Sequence, residues 1–156
     1  MKKAALLMIF LAAVAGVASA QAGRSGGTTG IGIIFGEPTG VSFKFWTGKT
    51  IAVDAAAAWS FADGSSLQLH GDLLFHSFDL FRVEKGRMAL YYGFGGRFKT
   101  KDANDQARLS FRVPLGISYE FEGAPIELFM EIAPMLDLVP KTEGAIGGGI
   151  GFRYYF

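Results

Sequence analysis

The stretch Leu109–Phe121, which reads LSFRVPLGISYEF, places an apolar residue at every second position from its first residue to its last. Side chains alternate between the two faces of a β-strand, so a period of two predicts a strand with one apolar and one polar face. The opposite parity carries charged residues, Arg112 and Glu120. A strand of this length, tilted by about 45°, is long enough to cross the hydrocarbon core of a bilayer.

The same period recurs along the rest of the chain and gives eight candidate strands in all. The apolar positions of the other seven are Ile31, Ile33 and Phe35; Val41, Phe43 and Phe45; Ile51, Val53, Ala55, Ala57 and Trp59; Leu67, Leu69, Leu73 and Phe75; Leu90, Tyr92, Phe94 and Phe98; Ile126, Leu128, Met130 and Ile132; and Ile146, Ile150, Phe152, Tyr154 and Phe156. Short turn signals rich in Gly, Pro and Asp separate most of them, and a longer link, Ser77 to Gly86, joins the fourth and fifth. The pattern predicts an all-β, eight-stranded, antiparallel up-and-down barrel.

The composition favours β-structure and excludes several kinds of site. The chain of 156 residues has 22 glycines, 15 phenylalanines and no cysteine, so it forms no disulfide, thiolate metal site or lipid-anchored cysteine. Its 15 Lys and Arg residues are nearly balanced by 14 Asp and Glu residues. A nucleic-acid-binding surface needs a marked basic patch. We therefore expect no nucleic-acid partner.

The amino terminus has the three parts of an export signal. Met1-Lys2-Lys3 is basic, Ala4 to Val17 is apolar, and Ala18-Ser19-Ala20 has the small residues of a cleavage site. The apolar part is too short to span a bilayer core of about 30 Å comfortably as a helix. We expect residues 1–20 to be a cleavable signal peptide and residues 21–156 to be the mature barrel.

Alternation alone does not distinguish a soluble barrel from a membrane barrel. A soluble barrel turns its apolar face inward, whereas an outer-membrane barrel turns it towards lipid and its polar face towards the lumen. Three features favour the membrane: the export signal without cysteine, a polar face crowded with charges of both signs, and aromatic residues near the strand ends. These aromatic residues are Phe35, Phe45, Trp59, Phe61, Phe75, Phe98, Phe121, Tyr154 and Phe156.

The inward parity predicts a barrel interior filled by charged side chains. It carries Lys44, Arg97, Lys99, Arg108, Arg112 and Arg153 against equally many acids, Asp54, Asp72, Glu120, Glu127, Glu131 and Asp137. An eight-stranded barrel encloses only enough space for its own side chains, and buried charges must be paired. We expect interlocked ion pairs and no continuous aqueous channel, with inward glycines leaving room for the long side chains. A charge-lined conduction path stays as the alternative.

Catalytic and metal-binding patterns are weak. His70, Asp72 and His76 share a parity, but about 3.3 Å of rise per residue places the two histidines some 20 Å apart, too far to share an ion. Several serines point inward, yet none lies in a nucleophile motif. Gly48-Lys49-Thr50 lacks the upstream glycine of a phosphate-binding loop. We expect no enzyme activity, metal or cofactor, and a lipid-modifying enzyme is kept as a further alternative.

The final strand, Phe152-Arg153-Tyr154-Tyr155-Phe156, together with the signal peptide and the alternating strands, resembles the small outer-membrane barrels of Gram-negative bacteria, the OmpA-transmembrane and OmpX-like group. The run Leu90–Arg97 also resembles an uncharacterised small family of this architecture. The resemblance implies a monomer in the outer membrane, recognition of Phe152, Tyr154 and Phe156 by the barrel-assembly machinery, and contacts with outer-membrane lipids and lipopolysaccharide, for instance through Lys99 and Lys101. The outer loops are shorter than that group has, which argues against a receptor role carried by large loops.

Overall fold

The described part of the chain forms a β-sheet that closes on itself. The computed structural model describes residues 26–37, 39–60, 66–100 and 107–156, so the predicted signal peptide lies outside the described residues. The strands are β1 (Thr29–Glu37), β2 (Thr39–Trp46), β3 (Ile51–Ser60), β4 (Ser66–Ser77), β5 (Arg87–Lys99), β6 (Arg108–Arg112), β7 (Leu115–Glu120), β8 (Ile126–Val139) and β9 (Glu143–Tyr155). None of the described residues belongs to a helix with the length and hydropathy needed to span a membrane.

Every strand pairs antiparallel with its neighbours, and the first strand pairs with the last. The closing contact between β1 and β9 runs from Gly30 opposite Tyr155 to Glu37 opposite Gly148. Closure removes both edges of the sheet, so the backbone N–H and C=O groups of the edge strands find partners. The sequence-based prediction of an eight-stranded antiparallel up-and-down barrel is confirmed, with β6 and β7 together forming the sixth position of the ring.

The sixth strand is divided where the sequence predicts one unbroken strand. Val113 and Pro114 lie between β6 and β7, because proline has no N–H to donate to the ladder. The register with β5 and β8 nevertheless continues across the gap, and two bonds remain: the Gly93 amide donates to the Pro114 carbonyl and the Val113 amide to the Pro134 carbonyl, both at 3.0 Å. β6 and β7 therefore occupy one strand position of the barrel between β5 and β8.

The apolar parity faces outward. Large apolar side chains on every strand remain well exposed, for example Phe43, Phe94, Phe111 and Ile132 at 43–52%. The residues of opposite parity are buried inside the ring, among them lysine, arginine, aspartate and glutamate. This is the reverse of a soluble barrel and the arrangement of a transmembrane one.

The two ends of the barrel differ. We call the end that carries both described termini the proximal end; it also holds the connections β2–β3, β4–β5 and β7–β8. The distal end holds the connections β1–β2, β3–β4, β5–β6 and β8–β9. Outward aromatic residues ring both ends, Phe35, Trp59 and Phe98 near the distal end and Phe45, Phe75, Phe121, Tyr154 and Phe156 near the proximal end. Phe61, predicted to belong to this set, lies outside the described residues.

An arginine placed at two different depths on the outer face of β8 tests whether that face meets lipid. Ile132, in the middle of β8, is 52% exposed, and Leu138, near the distal end of the same strand, is 49% exposed. We expect Ile132→Arg to lower the free energy of unfolding in lipid vesicles by about 2–4 kcal/mol and Leu138→Arg by about 0–1 kcal/mol, because only the first charge lies at the bilayer midplane.

Urea titration of the refolded variants, followed by tryptophan fluorescence, measures both values. Two equally small changes would show that this face meets water and not lipid.

Candidate functional site: the barrel interior

The structure places the predicted charged residues inside the barrel. Lys44, Asp54, Asp72, Arg97, Lys99, Arg112, Glu120, Glu127, Glu131, Asp137 and Arg153 are all buried. Arg108 is the exception, with about a third of its side chain exposed at the distal end. The charged side chains of the described residues are thus concentrated in the barrel interior.

The first cluster of ion pairs is centred on Arg153 of β9. Its guanidinium donates to Glu127 Oε1 at 2.7 Å, to Asp54 Oδ2 at 2.5 Å and to Ser42 Oγ at 2.9 Å. Lys44 Nζ lies 3.0 Å from Glu127 Oε2, which also accepts a bond from the Tyr155 hydroxyl at 2.7 Å. Two cations and two anions therefore balance.

The second cluster is centred on Arg112 of β6. Its Nε donates to Asp72 Oδ2 at 2.9 Å, and its Nη2 contacts Glu131 Oε1. The hydroxyl of Tyr91 donates to the other oxygen of Glu131 at 3.0 Å. The imidazole Nε2 of His70 lies 4.0 Å from Asp72. The Arg112 guanidinium thus bridges two carboxylates and links β6 to β4 and β8 through charge-assisted hydrogen bonds.

Inward glycines lie between the partners in these clusters. Gly95 is opposite both Asp72 and Arg112, and Gly116 is opposite both Tyr91 and Glu131. A Cβ on Gly95 would lie 2.2 Å from Asp72 Oδ1, and one on Gly116 would lie 2.3 Å from the Tyr91 ring. The long side chains thus reach each other across a strand that has no side chain at that point.

The third cluster lies nearest the distal end. Arg97 of β5 donates to Asp137 Oδ1 at 2.8 Å and to Ser110 Oγ at 2.9 Å, and Ser110 donates in turn to Asp137 at 2.5 Å. Arg108 reaches the second oxygen of Asp137 at 3.4 Å. Here two arginines share one carboxylate.

Glu120 occupies a different place from the other acids. It is buried, and its Oε2 lies 3.6 Å from Nη1 of Arg87 at the proximal rim, where about a third of the Arg87 side chain is exposed. The alternation of the sequence predicted that Glu120 faces inward. Arg87 was not predicted, because it precedes Leu90, the first apolar position of its strand. This pair is partly open to water, so it contributes little to stability.

An aromatic cluster that was not predicted from the sequence lies in the proximal end of the lumen. The Trp46 ring lies 4.4 Å from the His76 ring and 6.3 Å from Phe78, and His76 lies 5.3 Å from Tyr91. Tyr155 and Ala52 pack against Trp46. Parity alone would have found Trp46, Tyr91 and Tyr155. Phe78 comes from the link after β4, and no sequence signal placed it inside.

The candidate catalytic and metal-binding residues are separated. His76 lies within the aromatic cluster and His70 beside Asp72, and the described residues include no group of three or more His, Asp or Glu side chains suited to a metal ion. Two inward serines bond to arginines: Ser42 accepts from Arg153, and Ser110 accepts from Arg97. The hydroxyl groups of Ser42 and Ser110 are therefore part of the interior ion-pair clusters.

The residues predicted to act as an assembly signal face away from the interior. Phe152, Tyr154 and Phe156 are 42%, 48% and 66% exposed, and the Tyr154 and Phe156 rings meet edge to face, with their centroids 5.3 Å apart. They continue the apolar surface of β9 down to the carboxyl terminus. Lys99 lies inside the distal end and not on an outer surface, and Lys101 lies outside the described residues.

Comparison with known proteins supports the fold. The structure is similar to the crystal structure of the N-terminal β-barrel domain of Pseudomonas aeruginosa OprF, with a TM-score of 0.55 and 16% sequence identity over 83% of this chain and 99% of that chain. The sequence matches no protein-family model and no curated protein. At this identity the likeness concerns the barrel architecture alone.

Removing the central cation tests the first cluster. We expect Arg153→Met to lower the free energy of unfolding by about 3–5 kcal/mol, because Glu127 and Asp54 would keep buried charges without their strongest partner. The matched control is Arg87→Met, which breaks the partly exposed rim pair and should cost less than about 1 kcal/mol. Equal losses in the two variants, measured by denaturant titration, would contradict a buried network.

A pair of glycine substitutions tests whether the inward glycines are needed for side chains on the flanking strands to meet. We expect Gly116→Ala to destabilise the barrel by about 1–3 kcal/mol, because the new methyl group would push the Tyr91 ring away from Glu131. Gly96→Ala is the control: its Cβ would point outward and meet no atom closer than 3.7 Å. The measurement is the denaturant midpoint of each refolded variant, and a Gly116→Ala midpoint matching that of Gly96→Ala would rule out the crowding.

Proposed function

We propose that the chain is a monomeric outer-membrane β-barrel protein with a structural or envelope-interaction role and a lumen that does not conduct. The observation that carries the proposal is the combination of an apolar exterior with an interior occupied by paired charges and aromatic rings. In hydrocarbon only such closed barrels and helices satisfy every backbone polar group.

The proposed route to the membrane uses both ends of the chain. Residues 1–20 would direct export and be removed, leaving the mature barrel 21–156. The exposed aromatic positions Phe152, Tyr154 and Phe156 would then be read by the barrel-assembly machinery. Their exposure on the outer surface of β9 supports this role, because a recognition motif must be accessible.

Outer-membrane lipids, including lipopolysaccharide, are the proposed surroundings of the finished barrel. The exposed aromatic residues near both ends support this, because amphipathic rings concentrate at the two interfaces of a membrane barrel.

The interior supports a closed lumen. In the middle of the barrel the Arg153 and Arg112 clusters connect strands from opposite sides, since β2 and β3 are joined to β8 and β9, and β4 is joined to β6 and β8. At the proximal end Trp46, His76 and Phe78 occupy the same space. Water-filled conduction needs a wider ring of strands. A small-solute conduit is the alternative that conductance would support.

Two measurements test the proposal. Outer-membrane extracts run on a gel without boiling should show a faster band that shifts on heating, because a closed barrel resists detergent until it is unfolded. The purified protein in planar bilayers should give no reproducible unitary conductance.

Each opposite result has a definite meaning. Recovery of the protein in a soluble periplasmic fraction would overturn the membrane assignment. Reproducible single-channel steps would overturn the closed lumen and favour the conduit. Lipid turnover that is lost in His70→Ala would overturn the non-catalytic role.

A further inference from the structure

Two aspartates occupy directly opposite positions inside the barrel. Asp54 of β3 is the register partner of Asp72 of β4, and their exposed fractions are only 3% and 4%. Side chains at such positions have Cβ atoms about 4.5–5.5 Å apart, and like charges there destabilise the strand pair. Two ionised carboxylates at this site, which we call the aspartate pair, would therefore repel each other with little water to screen them.

Each member of the aspartate pair has one carboxylate oxygen that accepts a hydrogen bond and one that does not. Asp54 Oδ2 accepts from Arg153 at 2.5 Å, and Asp72 Oδ2 accepts from Arg112 at 2.9 Å. The Oδ1 atoms of both aspartates are buried and have no hydrogen-bond partner among the described residues. A buried acceptor without a donor costs free energy, and the cost is larger for a charged group.

Glu127, in the same interior, has the contacts that a buried ionised carboxylate needs. Its two oxygens accept hydrogen bonds from Lys44, Arg153 and Tyr155 at 2.7–3.1 Å. Several donors to the charged form of a carboxylate stabilise that form. The aspartate pair has a single donor residue for each carboxylate, so its two charges are much less well compensated than the charge of Glu127.

Cations and carboxylates around the aspartate pair are unequal in number. The cations in contact with these acids are Lys44 of β2, Arg112 of β6 and Arg153 of β9, and the carboxylates are those of Asp54, Asp72, and Glu127 and Glu131 of β8. All of these side chains are buried. Arg97, the next cation towards the distal end, donates to Asp137 instead. Among these described side chains, four carboxylates therefore meet three cations.

The other titratable side chains near the aspartate pair are His70 of β4 and Tyr91 of β5. His70 Nε2 lies 4.0 Å from Asp72, but Arg97 is directly opposite His70 on β5, so a charged imidazole would face another cation. Tyr91 donates its hydroxyl hydrogen to Glu131. Within the described interior, the aspartate pair is therefore the place where one added proton relieves both the repulsion and the unequal charge.

We propose that Asp54 and Asp72 hold one proton between them in mildly acidic solution, where an aspartate in water is already ionised, and that this proton makes the interior sensitive to pH. The proton belongs to the pair, because two acids that interact strongly titrate as a unit. It turns one acceptor oxygen that lacks a partner into a donor. Its loss at higher pH restores the repulsion between β3 and β4. The proposal concerns interior contacts alone, so it does not depend on whether the lumen conducts.

The primary test is infrared spectroscopy of the mature barrel, refolded in detergent micelles at about pH 6, above the usual range of Asp and Glu side chains. A protonated carboxylic acid has a carbonyl stretching band that an ionised carboxylate lacks. We expect this band in the unchanged chain and its loss in both Asp54→Asn and Asp72→Asn, because the remaining aspartate would be ionised opposite a neutral amide. Asp79→Asn, which changes an exposed aspartate in the link after β4, is the matched control and should keep the band.

The pH dependence of stability is the second test. A proton that the folded barrel binds and the unfolded chain does not makes the equilibrium constant for unfolding rise by up to about tenfold per pH unit, until the folded barrel loses the proton. Denaturant titrations at several pH values should show this rise in the unchanged chain and in Asp79→Asn, relative to Asp54→Asn and Asp72→Asn. The histidines are the same in all four chains, so the difference between them isolates the aspartate pair.

Three outcomes overturn the proposal. The first is a spectrum of the unchanged chain without the carbonyl band, which needs no variant and would also result if an inorganic cation took the place of the proton. The second is a band that persists in both asparagine variants. The third is a band lost in only one of them, because one aspartate would then hold the proton alone. A heat-induced shift in gel mobility confirms that each variant forms the closed barrel.

Discussion

The contact between β1 and β9 is the one on which the rest of the structure depends. A sheet with an apolar outer surface in a membrane has no water to satisfy its edge amides and carbonyls, so the ring must close. Eight registered residue pairs, from Gly30 opposite Tyr155 to Glu37 opposite Gly148, make that closure. Once the ring is closed, the alternation of each strand leaves only one place for its charged side chains, the narrow interior.

The side chains of the interior must both fit into a narrow space and pair their charges. Long cationic and anionic side chains from several strands compete for the same space, and each must find a partner. Glycines such as Gly95 and Gly116 make this possible, because they let side chains on the two flanking strands meet across the strand between them. The stability of the ion pairs therefore depends on residues that themselves have no charge.

The sequence alone predicts a good deal of this structure. A period of two identifies the strands, their outward residues and most of the inward charges, since parity is a local property. Partners are not local: the contacts of Arg153 with Asp54 and of Arg112 with Asp72 depend on register and on barrel closure. The division of the sixth strand at Pro114 was visible in the sequence, but an unbroken apolar alternation concealed it. Phe78 inside the lumen depends on the path of a link with no periodic signal.

Pro114 and Pro134 reduce the number of hydrogen bonds between neighbouring strands of the barrel. Pro114 and Pro134 each accept a ladder bond but have no N–H to return one, so the carbonyls of Gly93 and Val113 each lose the donor that a regular antiparallel pair would supply. These gaps lie on neighbouring strands, at nearly the same height. The register between β1 and β9 is continuous, whereas the barrel has fewer ladder hydrogen bonds where β5, the Val113–Pro114 segment and β8 meet. In the proposed membrane setting, we expect a change in bilayer thickness to be absorbed at this site sooner than at the contact between β1 and β9, because fewer hydrogen bonds resist it there.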